Sequence, residues 1–177
     1  PVVIREALRS LADGQPRLVK ICPEGEAADA GPDVVIAQST CASEGTVEVF
    51  IQPHLPTPLL RVFGESPAAC TLRALAETIG WRVGDDDGAD AIVVATMGRG
   101  DEDAAQAALA TSAEYVGLVA SSRRAQGVRA VMAERGVAAE RLATLRSPAG
   151  LDLGPSTQEE IAVAILAELV AWSHTRG

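Results

Sequence analysis

Hydrophobic positions along this chain follow two rhythms. From Leu59 onward, short runs of aliphatic residues alternate with Ala-rich stretches whose apolar positions recur every three or four residues, the pattern of a parallel sheet wrapped by crossover helices. LLRVF, Leu59–Phe63, predicts the first strand of that set. Ser66-Pro67 then opens a helix to about Ile79, with Pro67 where its missing amide proton costs nothing, and Gly80 ends it. Trp81–Val83, Ala91–Ala95, Tyr115–Val119 and Leu142–Leu145 predict the following strands. Asp101–Ala110 is expected as a helix whose acidic first turn suits the positive end of its dipole, and Ser121 or Ser122 caps another that ends at Gly136. This is a Rossmann-like order.

The segment SPAGLDLGPSTQEEIAVAILAELVAW, Ser147–Trp172, joins a Gly- and Pro-rich loop to a strongly apolar helix. Thr157 with Glu160 forms a capping box that fixes the helix start. Stepping about 100° per residue, Ile161, Ile165, Leu166, Leu169, Val170, Trp172 and several alanines cover almost the whole circumference, which predicts a buried helix. Glu168 alone interrupts them. An unpaired buried carboxylate is costly, so Glu168 is expected either to meet a cation such as Arg123 or Arg124 or to remain partly hydrated at a site. A structural ion pair is expected ahead of a catalytic acid.

The first 58 residues read differently, as a small α+β appendage. A helix at Val2–Leu11 precedes strands at Leu18–Cys22, Val34–Ile36 and Thr46–Ile51, with a turn-rich loop at Gly25–Asp33. PHLPTP, Pro53–Pro58, is a stiff linker, so the domains are expected at 1–58 and 59–177.

Composition narrows the function classes. The 177 residues are 47% hydrophobic but only 3% aromatic, which suits Ala-rich helices packed on a Val/Ile-rich sheet better than a β-sandwich. A net charge of −9, with no basic cluster longer than Arg123-Arg124, lacks the electrostatic footprint of a nucleic-acid binder. No apolar run reaches the ~20 residues that span a bilayer and no signal-peptide pattern opens the chain, so a cytoplasmic protein is expected. Cys22, Cys41 and Cys70 are too widely spaced for a CxxC metal site or a disulfide framework, and His54 and His174 are the only histidines. Free thiols are expected, and a His-based zinc or catalytic constellation is not.

The loop Gly64-Glu65-Ser66-Pro67-Ala68-Ala69 follows a strand and opens a helix, as a dinucleotide site requires. Only its first glycine is present. Ser66 adds a Cβ where backbone would approach a pyrophosphate and Glu65 adds negative charge, so both speak against NAD(P) or FAD. Asp85-Asp86-Asp87 stands where a ribose-binding carboxylate would sit, but DDDG is also an ordinary solvated turn. In Thr40-Cys41-Ala42-Ser43-Glu44-Gly45, a polar turn can expose the Cys41 thiol, although no neighbouring cation lowers its pKa.

The order of segments resembles the XdhC/CoxI family of xanthine dehydrogenase accessory and CO dehydrogenase maturation proteins over about residues 34 to 173. The resemblance is carried by AEYVGLVASSRR, ending at Arg124, and by SPAGLDLGPSTQEEIAVAILAE. TCASEGTVEVFIQP resembles the cysteine-glycine turn and strand that close the family's first domain, with Glu44 where the family often has glycine. The chain departs from the family pattern at Ser66 and Pro67, where a second glycine and a histidine are usual, and at Thr96-Met97-Gly98, where Thr-His-Asp is usual. These departures mark a divergent or reduced member.

The resemblance implies an amino-terminal domain followed by a Rossmann-like domain, and a maturation role rather than catalysis. It implies transient binding of molybdenum cofactor (molybdopterin), assistance in its insertion, a molybdenum hydroxylase as target and a cysteine desulfurase as a further partner. Cys41, Gly45 and Gly64 are the implied cofactor-binding residues before the midpoint, with Cys41 the possible molybdenum contact. Ser121, Arg123, Arg124, Asp152 and Glu168 are those after it. Arg123 and Arg124 suit a phosphate, and equally an exposed helix start. Two alternatives are a nucleotide-dependent oxidoreductase using Gly64 and Asp85–Asp87, and a ligand-free scaffold that holds partners. A homodimer is expected from base rate.

Overall fold

The computed structural model describes residues 2–23, 34–39 and 45–175. Contacts divide the chain into two compact units, Pro1–Pro56 with His174–Gly177, and Thr57–Ser173. In the smaller unit, α1 (Val2–Asp13) packs beside a three-stranded sheet of β1 (Arg17–Pro23), β2 (Val34–Ser39) and β3 (Val47–Ile51). β1 is central, parallel to β2 and antiparallel to β3. The loop expected at Gly25–Asp33 lies outside the described residues.

α1 is amphipathic in the reverse of the usual sense. Glu6 and Ser10 are buried, while the stripe Ile4, Leu8 and Leu11 is 58%, 63% and 50% exposed. Burial of Glu6 is tolerable because cations surround it. Arg5 and Arg9 each donate to its carboxylate at 3.1 Å and Arg17 lies 3.9 Å away, so hydrogen bonding by Arg5 holds this carboxyl below the usual range despite desolvation. Ser10 donates to the Gln15 carbonyl at 2.6 Å.

The larger unit is a three-layer α/β/α domain. Its sheet joins β4 (Leu59–Phe63), β5 (Arg82–Val83), β6 (Ala91–Val94), β7 (Tyr115–Leu118) and β8 (Leu145–Arg146), all parallel, in the order β5-β4-β6-β7-β8. β6 and β7 are buried at every position because helices cover both faces. On one face α2 (Pro67–Thr78) and α6 (Gln158–Ser173) enclose Leu60, Leu72, Val93, Ile165 and Leu169, with Trp172 tilted against Trp81 and Tyr115. On the other, α3 (Asp101–Ala110) and α4 (Ser122–Glu134) enclose Ile92, Val94, Leu109, Val116 and Met132.

Local signals explain the helix ends. Ser66 caps α2 by accepting from the Ala69 amide at 3.0 Å, and Ser121 rather than Ser122 caps α4. The capping box at α6 is reciprocal: Thr157 N–H donates to Glu160 at 2.7 Å and Glu160 N–H donates to the Thr157 hydroxyl at 3.3 Å.

Two expectations need correction. The strand expected at Leu142–Leu145 is instead helix α5 (Ala139–Thr144) followed by the short β8. AERLAT is built of good helix formers, and its turn is held by Arg141, which donates to the Leu109 and Thr111 carbonyls at 3.1 and 3.0 Å. α6 is not buried all round: Ala162, Ala164, Ile165, Leu169 and Trp172 face the core, while Val163 is 51% exposed. No helix among the described residues is long and apolar enough to cross a membrane.

The loop before α6 is pressed against that helix. Gly150 has φ +96°, a Cβ there would sit 2.9 Å from the Ile165 nitrogen, and Leu151 N–H reaches the Ala164 carbonyl at 3.2 Å. Gly136, with φ +82° and open space around it, needs glycine for its backbone alone. Gly150→Ala is therefore expected to cost at least about 2 kcal/mol in urea unfolding, against roughly 1 kcal/mol for Gly136→Ala. Equal costs would show that the Gly150 approach is not tight.

Candidate functional site

In a doubly wound parallel sheet, ligands bind outside the carboxyl ends of the strands where the winding reverses, and here that point lies between β4 and β6. The exit loop of β4 and the exit loop of β6 meet there. Gly64, Glu65, Ser66, Thr96, Met97 and Arg99 line an open cavity of about 470 Å³. Gly64 is required by this meeting: its φ is +106°, and a Cβ would lie 2.4 Å from the Ala95 carbonyl oxygen.

Side chains fix the β4 side of the cavity. Arg73, reaching back from α2, donates to the Val62 and Gly64 carbonyls at 2.9 and 2.7 Å and pairs with Glu65 at 3.1 Å. Ser66 is only 6% exposed, and its hydroxyl oxygen serves the helix cap.

The β6 side is a strained, glycine-rich loop. Met97 adopts a left-handed backbone with φ 56°, which costs about 1 kcal/mol or more in a residue with a Cβ, and Gly98 and Gly100 also have positive φ. Thr96 donates through its hydroxyl to Asp101, the buried first residue of α3. Arg124 closes the network by donating to Asp101 at 2.9 Å and pairing with Glu102 at 2.9 Å. The Asp101 bond chiefly, against some desolvation, holds the Arg124 guanidinium in its charged form.

A neighbouring cavity of about 420 Å³ shares Gly64 and Glu65 and extends to Val83, Gly84 and Asp85. The acidic run divides its tasks. Asp86 accepts from the Gly88 amide at 2.7 Å within the turn, Asp87 pairs with Arg61 at 2.6 Å, and Asp85 is the member that lines the cavity.

Of the residues expected from sequence, Gly64 is the one lining the switch-point cavity. Ser121 and Arg124 stand at the next strand end and reach it only through Asp101 and Thr96. Arg123 is exposed and does not line it. Asp152 accepts from the Gly154 amide at 3.0 Å in a local turn. Gly45 lies in the smaller unit with φ +124° and nothing within 4 Å of its Cβ position among the described residues, and Cys41 lies outside the described residues. Among the described residues, no group of three His, Cys, Asp or Glu side chains is arranged to hold a metal ion.

Glu168 meets a cation, but it is Arg146 at 3.1 Å and not Arg123 or Arg124. The same carboxylate accepts from the Tyr115 hydroxyl at 3.0 Å and the Gly150 amide at 2.5 Å, and Arg146 lies 5.0 Å from the Tyr115 ring centre. This cluster ties β7, β8, the loop before α6 and α6 together. Arg99, Asp101, Arg146 and Tyr115 were not singled out from the sequence. The signal for Arg99 was its place between two glycines, after a strand and before a helix.

Residues 60–169 match the family described as the XdhC Rossmann domain, well over half of the 177 residues. The Escherichia coli K12 protein named uncharacterized protein YqeB is 28% identical, over 95% of this chain and 36% of that protein; the chain thus spans about a third of that relative's length. A Bacillus halodurans protein whose crystal structure is described as a xanthine dehydrogenase shares the fold, with TM-score 0.55 at 19% identity over 75% of this chain and 46% of that one.

Burial first, then the adjoining Glu168 carboxylate, pushes the Tyr115 phenol well above its ordinary value near 10, with Arg146 opposing. The folded state thus holds the phenol proton more tightly than the unfolded state. That contribution to stability is intact below about pH 10 and is lost as pH climbs through the folded-state value. Tyr115 is the chain's one tyrosine, so phenolate absorbance reports on it alone. In an alkaline titration the absorbance is expected to rise only together with loss of the circular dichroism of the fold. Phenolate forming near pH 10 in a folded chain would contradict the buried Tyr115–Glu168 bond.

Proposed function

Because this chain belongs to the XdhC family, we propose that it is a non-catalytic accessory protein that binds molybdenum cofactor and assists its insertion into a molybdenum hydroxylase of the xanthine dehydrogenase type. It acts in the cytoplasm, with the hydroxylase as target and a cysteine desulfurase as the partner that sulfurates the carried cofactor.

The observation that supports this reading most is the cavity between the β4 and β6 exit loops. Its polar groups are suited to holding an anion rather than to turnover. The carboxylates around it are engaged by arginines: Glu65 by Arg73, and Asp101 and Glu102 by Arg124. None is thereby free to serve as an acid or base beside a nucleophile. Arg99 and the Ser66 hydroxyl fit the phosphate of molybdopterin. When bound, the cofactor supplies the molybdenum and its sulfur or oxygen ligands. The chain holds it, screens it from water and releases it.

The test is anaerobic incubation with released cofactor, followed by gel filtration and quantification of molybdenum and pterin in the protein peak. Stoichiometric co-elution is expected. Cys41→Ser is expected to fold normally and retain less molybdenum, and equal retention would assign Cys41 a structural role. No co-elution of intact cofactor with folded protein would overturn the reading.

A second reading, a partner-holding scaffold, is favoured by the exposed Ile4–Leu8–Leu11 stripe. Ile4 and Leu8 of this stripe, with Val2, Arg5, Arg9 and Ala12, line an open depression of about 580 Å³. If the stripe pairs two copies of the chain, Leu8→Asp is expected to shift light-scattering mass from dimer to monomer without loss of helix content. An unchanged mass would remove this role.

A further inference from the structure

We propose that the outer face of α1 docks an amphipathic helix of a partner protein, one whose apolar row is bordered along one edge by carboxylates. The inference goes beyond the second reading above and rests on it only in taking the stripe as a face that holds something. The occupant is argued from spacing and charge.

Ile4, Leu8 and Leu11 recur at intervals of four and three residues, so they stand in one row along a helix of 12 residues, about 18 Å long. A second helix matches such a row; a strand, whose side chains repeat every two residues, does not. Turning α1 about its axis cannot hide the row. The inner side of the helix holds Glu6, 3.9 Å from Arg17 of β1, and Ser10, which donates to the Gln15 carbonyl at 2.6 Å. Rotation would carry both away from these partners. The row is therefore covered from outside.

Charge selects the occupant. Arg5 and Arg9, one turn apart, border the row on one edge and line the same depression as Ile4 and Leu8. Asp13 is paired with Arg17. Among the described residues, the carboxylate that answers both border arginines is that of Glu6, 3.1 Å from each and itself buried. Two exposed guanidiniums thus share one buried carboxylate, and the edge keeps an excess of positive charge in a chain of net charge −9. A second copy fits this edge poorly. Two α1 helices laid antiparallel about a twofold axis would set each Arg5-Arg9 edge against its own counterpart. An anionic lipid surface would meet the repulsion of the chain's overall charge. A helix carrying Glu or Asp beside its apolar row matches both the spacing and the edge.

Two synthetic helical peptides of about 18 residues, long enough to hold a helix, test the proposal. They share a leucine row with the α1 spacing; one carries glutamates along one edge and the other carries lysines at the same places. In a fluorescence-anisotropy titration with the full chain, the glutamate peptide should bind saturably and at least about tenfold more tightly than the lysine peptide, with the difference shrinking at high salt. Leu8→Ser should weaken binding about tenfold or more, whereas Val163→Ser on α6 should leave it unchanged. Leu8 and Val163 are exposed, so both variants should keep the wild-type circular dichroism. No saturable binding to folded wild type, equal affinity for the two peptides, or equal affinity in Leu8→Ser would overturn the proposal.

Two further measurements identify rival occupants. A dimeric mass by light scattering that Leu8→Ser converts to monomer would assign the row to a second copy. Leu8-dependent sedimentation with vesicles of phosphatidylcholine and phosphatidylglycerol would assign it to a membrane surface. Either result overturns the helix assignment while the stripe keeps a docking role. A monomeric wild type that binds the glutamate peptide through Leu8 removes the pairing of copies and leaves this inference standing.

Discussion

The approach of Gly64 to the Ala95 carbonyl is the contact on which the larger unit's site depends. At 2.4 Å from that oxygen no Cβ can be accommodated, so the end of β4 can lie against the end of β6 only because residue 64 is glycine. That closeness brings the two exit loops to opposite sides of one cavity, at the place where parallel sheets leave an opening between oppositely wound crossovers. The rest follows from covering both faces of the sheet. Ala-rich α2 and α6 sit on one side and α3 and α4 on the other, while the strand ends carry the polar chemistry.

Charge around the sheet is organised by pairing. Arg73, Arg124 and Arg135 each engage acidic side chains. The exposed pairs among them, Arg73–Glu65 and Arg135–Asp103, contribute little stability individually. Beside the cavity, Arg73 is paired with Glu65 and Arg124 with Asp101. Glu168 is held in the same way at the edge of the core, where Arg146, Tyr115 and the Gly150 amide together satisfy one partly buried carboxylate.

Much of the fold was legible because strand and helix periods differ and the caps are explicit. LLRVF, the α3 segment and the Thr157–Glu160 box fall where the sequence places them. The misread strand at Leu142–Leu145 has a cause: leucines three residues apart fit a helical face as well as a strand, and the arginines that stabilise α5 act through distant carbonyls. The periodicity of α1 does not reveal which side turns inward, and the buried Glu6 is matched by Arg5 and Arg9 of the same helix together with Arg17 of β1. The site was the least legible part. Gly64 is marked by its position after a strand, but Arg99 resembles any residue in a glycine turn, and its significance emerges only when the neighbouring acids are seen to be paired. The choice of Arg146 for Glu168, over the more conspicuous Arg123-Arg124, is likewise a tertiary fact.

Amide chemical-shift mapping of the isotopically labelled chain during anaerobic addition of released molybdenum cofactor tests the central claim most directly. The account predicts saturable shifts concentrated at Gly64–Ser66 and Thr96–Gly100. Shifts concentrated instead around Ser147–Gly154, or none under conditions where the cofactor stays intact, would contradict it.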